Sequence, residues 1–105
     1  MFATIRRHTP KSSSAKDLVT GLKERLEKGF VPQLRNVQGF HGYYVITNDR
    51  EVVSISIFEN RTGAQESTRL STEFVRNDPL KDKLNAPEII EGEILVSQEA
   101  LIGAH

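Results

Sequence analysis

The stretch from Gly39 to Glu59 constrains the fold most strongly, because two strand-like arms flank a short polar interruption. Both arms are rich in Val, Ile, Tyr and Phe, the residue types that suit a pleated, half-buried surface. Between the arms, Asn48, Asp49 and Arg50 provide turn-forming chemistry. The stretch therefore predicts a β-hairpin.

The length of the loop decides which side chains share a face, because side-chain direction alternates along a strand. An odd loop would mix apolar and hydroxylated residues on both faces, whereas an even loop gives one face that is almost continuously apolar. The even register pairs Ile46 with Val53, Tyr44 with Ile55, and Gly42 with Ile57. The opposite, mixed face then pairs His41 with Phe58, Tyr43 with Ser56, Val45 with Ser54, and Thr47 with Val52.

The two faces lead to different expectations. The aliphatic face is expected to pack beneath helices, in a single core that contains Leu22, Leu26, Tyr44, Ile46, Val53, Ile55, Ile57, Leu70 and Phe74. The mixed face is too apolar for open solvent and too polar for a dry core, and two-fold pairing would cover it on both subunits. A homodimer is therefore predicted, with an interface made of Tyr43, Val45, Val52, Ser54, Ser56 and Phe58.

Composition indicates one domain over residues 1–105, with a core of modest size. Lys+Arg and Asp+Glu both number 14, which argues against nucleic acid or an anionic membrane as the principal partner. The absence of cysteine excludes disulfides and thiolate chemistry. No apolar run approaches ~20 residues, and the first residues lack a signal-peptide pattern. A cytoplasmic protein without a cofactor or metal is expected.

The remaining elements follow from periodicity and capping. Residues 2–8 alternate as a strand. Ser14 and Asp17 have capping-box spacing before a helix that should end or kink near Val31, ahead of Pro32. A second helix should run from Thr62 to about residue 76, and a last strand should occupy residues 88–98, with the apolar tail at residues 100–102 docked. The order βαββαβ predicts an α+β, ferredoxin-like fold with a four-stranded antiparallel sheet.

The second predicted helix has an unusually small, hydroxylated inward stripe. Close packing of the helix on the sheet explains such a stripe, and space for a ligand pocket is the alternative. The stripe consists of Ala64, Ser67, Leu70, Ser71, Phe74 and Val75.

Three stretches resemble the antibiotic-biosynthesis-monooxygenase-like proteins of the dimeric α/β-barrel superfamily. They are Pro32-Gln33-Leu34, Gln38 to Tyr44, and Ser54 to Glu59 leading into a helix. The resemblance implies a dimer whose sheets pack face to face and, for some members, cofactor-independent monooxygenase activity. The chain has no tryptophan, whereas the quinone-forming members use tryptophans in the pocket. Haem-degrading relatives hold the haem iron through a histidine on a helix. None of His8, His41 and His105 falls on a predicted helix, so haem is not expected.

The candidate substrate-binding residues are His41, Tyr44 and Arg69. His41 could act as a general base, although a lone histidine is more often a polar interface residue. Tyr44 could donate a hydrogen bond into a pocket, and Arg69 could bind an anionic group; a core tyrosine and a solvated arginine are the alternatives. Glu91 and Glu93 share a strand face without histidines nearby, so no metal site is predicted.

Two functions remain open from the sequence. One is a cofactor-independent monooxygenase acting on a small apolar or aromatic molecule. The other is a non-catalytic module of the same fold that binds a small ligand or supports assembly. The catalytic residues and the substrate are not determined by the sequence.

Overall fold

The computed structural model describes residues 1–11 and 14–99. The expected docking of the tail at residues 100–102 lies outside the described residues. The predicted order of strands and helices is confirmed, with the first helical region divided into three. The elements are β1 (Phe2–His8), α1 (Ala15–Leu18), α2 (Leu22–Gly29), α3 (Val31–Arg35), β2 (Phe40–Thr47), β3 (Val52–Phe58), α4 (Arg61–Arg76), a 3-10 helix (Pro79–Asp82) and β4 (Glu88–Glu93).

The four strands form one antiparallel sheet in the order β2-β3-β1-β4. The even register of the hairpin is confirmed, since Ile46 pairs with Val53 and Tyr44 with Ile55. The Asn48 side chain holds the turn, because its Oδ1 accepts hydrogen bonds from the backbone N–H groups of residues 50 and 51, at 2.8 and 3.0 Å. This fold is the predicted ferredoxin-like α+β arrangement.

One pair differs from the prediction, because the register of the hairpin shifts between Phe40 and Gly42. Phe58 pairs with Phe40 instead of His41, and His41 occupies the irregular position. The two phenylalanine rings pack edge to face with 5.6 Å between their centroids. This aromatic contact gives a physical reason for the shift, since it places both rings against the helices.

The assignment of the two sheet faces was wrong. The helices cover the mixed face, and the aliphatic face is left bare: Tyr44 is 58% exposed and Ile46 is 55% exposed. Val53, Ile55 and Ile57 share this bare face and are only partly buried. Five members of the predicted core therefore lie outside it, while Leu22 and Leu70 are buried and Leu26 and Phe74 pack against the core as expected.

The predicted dimer-interface residues are corrected with the faces. Tyr43, Val45, Val52, Ser54, Ser56 and Phe58 lie beneath the helices of the same chain, where Phe58 and Ser56 are 0% exposed. The physical reason is that polar side chains buried beneath the helices need hydrogen-bond partners on the same face. Arg6 on β1 needs buried hydrogen-bond acceptors, which the serines of β3 supply. Small side chains on that face also let α4 approach closely, and an all-aliphatic face meets neither need.

The first predicted helix is interrupted at Gly21, which has a φ of 74°. This left-handed conformation suits glycine and separates α2 from α1. The expected end or kink near Val31 is confirmed, because α2 ends at Gly29 and α3 begins at Val31. Pro32 lies in the first turn of α3, where its missing N–H costs nothing. The Ser14 side chain makes no capping hydrogen bond, so the predicted capping box there does not form.

Helix α4 begins one residue earlier than predicted, and its N-cap is Asn60 rather than Thr62. The Asn60 Oδ1 accepts a hydrogen bond from the Gly63 N–H at 3.0 Å. The inward stripe is confirmed, with Ala64 and Ser67 at 0% exposure. Strand β4 is shorter than predicted, ending at Glu93. Within the described residues, no helix is long and apolar enough to cross a membrane.

Candidate functional site

The three predicted substrate-binding residues do not come together. His41 is exposed at the hairpin irregularity, with its Nε2 3.4 Å from Glu59 Oε1. Tyr44 lies on the bare sheet face. Arg69 lies on the solvent side of α4, in ion pairs with Glu66 and Glu73. Among the residues described, none of the three lines the cavities between the helices and the sheet that are described below.

Glu91 and Glu93 are exposed on edge strand β4, as expected for edge charges. Across residues 1–11 and 14–99, no cluster of three or more His, Cys, Asp or Glu side chains could hold a metal ion.

A small cavity, here called the inner cavity, lies between the sheet and the helices. Its volume is about 40 Å³, which has space for a small polar group and not for an aromatic ring. Most of its wall is apolar and comes from α2, α4 and the core aromatics. The polar side chains in the wall are His8, Tyr43, Ser54 and Ser71.

A larger groove, here called the outer groove, runs between α2 and edge strand β2, with a volume of about 720 Å³. It shares four wall residues with the inner cavity: Leu22, Leu26, Tyr43 and Val45. The Tyr43 ring is held by an edge-to-face contact with Phe30, with centroids 5.2 Å apart. Lys23, Glu27 and Arg35 also line the groove. The two spaces together form an apolar cleft with polar groups at its inner end.

On the β4 side of His8 is a third space, here called the back cleft, of about 190 Å³. It shares four wall residues with the inner cavity: His8, Ser71, Val75 and Leu84. Its charged wall residues are Arg6 and Lys81, and no carboxylate lines it in the described part of the chain. His8 therefore lies between the two cavities, on the same strand as Arg6.

Arg6 is the most unusual side chain of the protein, since it is 1% exposed in the middle of β1. Alternation along β1 directs it towards α4, together with Thr4 and His8. Its guanidinium is surrounded by hydroxyl groups from β3 and α4. Nε donates to Ser54 Oγ at 3.1 Å, Nη1 to Ser67 Oγ at 3.2 Å and Thr68 Oγ1 at 3.3 Å, and Nη2 to Ser56 Oγ at 2.6 Å.

Burial has opposite effects on the pKa values of Arg6 and Tyr43, which lie on the same face of the sheet with β3 between them. It lowers the pKa of the Arg6 guanidinium to about 10, and the Tyr43 phenolate, which forms only at high pH, opposes that shift. Burial also raises the pKa of the Tyr43 phenol to about 12, against the effect of the Arg6 charge. At neutral pH the site thus holds a charged arginine and a neutral tyrosine that can donate a hydrogen bond.

His8 is 8% exposed, and its imidazole makes no side-chain hydrogen bond within residues 1–11 and 14–99. Burial, and secondly the charge of Arg6, lower the pKa of His8 from its ordinary value of 6.5. A neutral imidazole has one nitrogen that accepts a proton. His8 can therefore accept a proton at the wall of a largely apolar cleft.

Sequence reasoning placed residues 2–8 in a strand but assigned no role to Arg6 or His8. A signal was available in the alternation of two strands. Thr4, Arg6 and His8 recur at every second position of β1, and Ser54 and Ser56 do so on β3. Two polar faces of this kind indicate that the two strands are adjacent and that their buried side chains hydrogen-bond to each other, because unpaired polar groups are costly to bury.

The fold is similar to several solved structures. A dimeric ferredoxin-like protein from an uncultured marine organism is 12% identical and has a TM-score of 0.68, with 95% of this chain and 100% of that chain covered. A putative antibiotic biosynthesis monooxygenase from Bacillus cereus is 18% identical, with a TM-score of 0.62 and coverage of 95% and 96%. A variant of SnoaB, a cofactor-independent oxygenase from Streptomyces nogalater, is 8% identical, with a TM-score of 0.59 and coverage of 91% and 95%.

No protein-family model and no curated protein matches the chain. The likeness to solved structures is therefore one of fold, and it extends over nearly the whole chain and nearly the whole of each neighbour. The chain has the ferredoxin-like fold of the antibiotic-biosynthesis-monooxygenase-like proteins.

Proposed function

We propose that the protein is a cofactor-independent monooxygenase whose substrate is a small, mostly apolar ring compound with an acidic hydroxyl group. The observation that carries this proposal is the position of His8, a buried neutral imidazole without a side-chain partner in the described chain, at the wall of the apolar cleft. Such a group can take a proton from a bound hydroxyl.

The dimensions of the cleft favour this orientation. The outer groove, at about 720 Å³, falls within the usual range of small-molecule sites of roughly 300–1,000 Å³. The inner cavity admits only a small group. The ring therefore occupies the outer groove, and its hydroxyl enters the inner cavity beside His8, Tyr43 and Ser54.

The chemistry needs little from the protein. His8 accepts the hydroxyl proton of a phenol, and the resulting anion is electron-rich enough to react with dioxygen. One oxygen atom bonds to ring carbon, and the other leaves as water with the two hydrogens that the phenol loses, so that a quinone results. His8 returns its proton to the departing oxygen, and Tyr43 donates a hydrogen bond to the substrate oxygen.

The SnoaB neighbour supports the proposal, since a protein of this fold is described as a cofactor-independent oxygenase. One observation favours a second candidate, a non-catalytic ligand-binding protein. No carboxylate orients the His8 ring within the described residues, and catalytic histidines commonly have such a partner.

Oxygen uptake distinguishes the two candidates. The purified protein is mixed with an anthrone in the presence of a chelator, and uptake and binding are followed separately. His8→Gln should retain binding and lose most of the uptake, because glutamine cannot take the proton, while the matched change His41→Gln at the exposed edge should alter neither. Binding without uptake by the native protein would establish the second candidate, and absence of binding would refute both.

We also propose that a second copy of the chain covers the bare sheet face. One row on this face crosses all four strands with an aromatic or aliphatic side chain at every position. In the order of the strands the row is Tyr44, Ile55, Ile5 and Ile90. Contiguous apolar patches larger than a few hundred Å² are uncommon on soluble monomers. The dimeric ferredoxin-like neighbour supports pairing through this fold.

The predicted homodimer is thus retained with the opposite face, and its total buried area should reach about 1,200–2,000 Å². Ile55→Asp introduces a charge at the centre of the row and should give a monomer in analytical ultracentrifugation. Lys16→Asp makes the same acidic group at an exposed helix position and should leave the dimer intact. A native protein that sediments as a stable monomer at micromolar concentration would contradict the proposal.

A further inference from the structure

The charge of Arg6 has no partner of opposite sign in the described protein. All 14 acidic side chains of the sequence belong to the residues that the structure describes. The ion pairs among those residues involve Arg7, Arg25, Arg69, lysines and His41, and none involves Arg6. A buried charge usually has a counterion because desolvation is costly. Hydroxyl groups satisfy the N–H donors of Arg6, but they carry no negative charge.

The hydroxyl group of Ser54 connects Arg6 with the inner cavity. Ser54 Oγ accepts a hydrogen bond from Arg6 Nε and also belongs to the wall of the inner cavity. Its own proton has no protein acceptor in the described chain, so it is available to a ligand. A hydroxyl that accepts from a cation becomes a better donor to an anion. Arg6 thus acts on the cavity through Ser54 as well as through space.

The surroundings of the guanidinium add to the positive potential. Lys81, from the 3-10 helix, lines the same back cleft and belongs to none of the ion pairs among the described residues. The other ionisable groups facing this region are His8 on β1 and Tyr43 on β2, both neutral at pH 7. On β4, Glu91 pairs with Thr4 in the strand register and is exposed, and α4 and β3 contribute uncharged hydroxyl groups.

We propose that the ligand is bound as an anion, with its ionised oxygen in the inner cavity beside Ser54 and His8, and that Arg6 and Lys81 supply the opposing charge. The inference rests on the proposed function and narrows its substrate class to hydroxyarenes and enols whose conjugate base is stable. His8 takes the proton, and the positive groups stabilise the anion that remains. Neutral ring compounds of the same shape bind weakly.

A coloured phenol tests this directly. The full-length protein is titrated with para-nitrophenol, which ionises near neutrality and whose anion is yellow, at a series of pH values. An opposite charge within a few Å commonly lowers such a pKa by about 1–3 units, so the bound phenol should ionise at a pH lower by that amount than the free phenol. The neutral analogue para-nitroanisole should bind at least about tenfold more weakly.

Matched variants show which residues cause the shift in the pKa of the bound phenol. Arg6→Gln should remove most of the shift, and Lys81→Gln should remove a smaller part. Lys83→Gln, at an exposed lysine outside the cavity walls, should remove none. If Arg6→Gln does not fold, as judged by thermal unfolding, Lys81→Gln decides the question alone, because its side chain is exposed.

The failures are distinguishable. Nitrophenol that binds with an unshifted ionisation, or nitroanisole that binds equally well, overturns the anion inference and leaves the proposed monooxygenase cleft in place. A protein that binds neither nitrophenol nor an anthrone overturns the inference together with the proposed function.

Discussion

The packing of Phe58 allows the assignment of the sheet faces to be tested by measuring the free energy of unfolding. Its ring is 0% exposed, contacts the Phe40 ring, and lies against the start of α4 at Gly63. Phe58→Ala removes the ring and leaves a cavity that Gly63 has no side chain to fill. Changes of this kind cost about 3–5 kcal/mol, a large part of the roughly 5–15 kcal/mol that stabilises a domain of this size.

The matched control is the neighbouring residue in the strand. Ile57 points to the bare face, so Ile57→Ala should cost less than about 1.5 kcal/mol in a chain kept monomeric by Ile55→Asp. Urea unfolding of both variants in that background, with equal m-values, gives the comparison. A larger loss for Ile57→Ala than for Phe58→Ala would refute the observed faces and restore the arrangement predicted from the sequence.

Three further outcomes follow from local contacts. Gly63→Ala should destabilise the fold by about 1–3 kcal/mol in urea unfolding, although alanine favours helices, because the new Cβ would lie 2.6 Å from Phe58 Cδ1; a stabilised variant would contradict this contact. Asn48→Ala should cost about 1 kcal/mol in the same assay, since two turn N–H groups lose their acceptor, and no change would contradict the turn. The pKa of His8 is lower in the folded protein than in the unfolded chain, so the unfolded chain takes up the proton at a higher pH. The stability of the protein should therefore fall as the pH drops below 6.5 towards the folded pKa. His8→Gln should reduce this fall in thermal melts, and an unchanged pH profile would contradict the burial of His8.

Local patterns were enough to predict the elements and the hairpin register. The register depends on the alternation of side chains around a turn at Asn48, and the inward stripe of α4 depends on helical periodicity; both are short-range properties. The division of the first helix at Gly21 was missed because glycine alone does not determine whether a helix continues or turns.

The sheet faces could not be assigned in the same way, because two partners compete for an apolar surface. An aliphatic face packs equally well against the chain's own helices or against another molecule, and hydropathy does not distinguish them. The deciding residue was Arg6, whose buried guanidinium requires the serines of β3 beside it. A buried arginine is rare, so a solvated side chain is the ordinary expectation for an arginine in a strand.

The titration of His8 by NMR tests the central claim most directly. The resonance is assigned by its absence from His8→Gln, and its chemical shift is followed with pH in the protein without ligand. The structure predicts a pKa below 6.5, because burial and the Arg6 charge both disfavour the imidazolium, and it predicts a rise towards 6.5 in a folded Arg6→Gln variant. A native His8 that titrates at or above 6.5 would contradict the buried, neutral base on which the proposed chemistry depends.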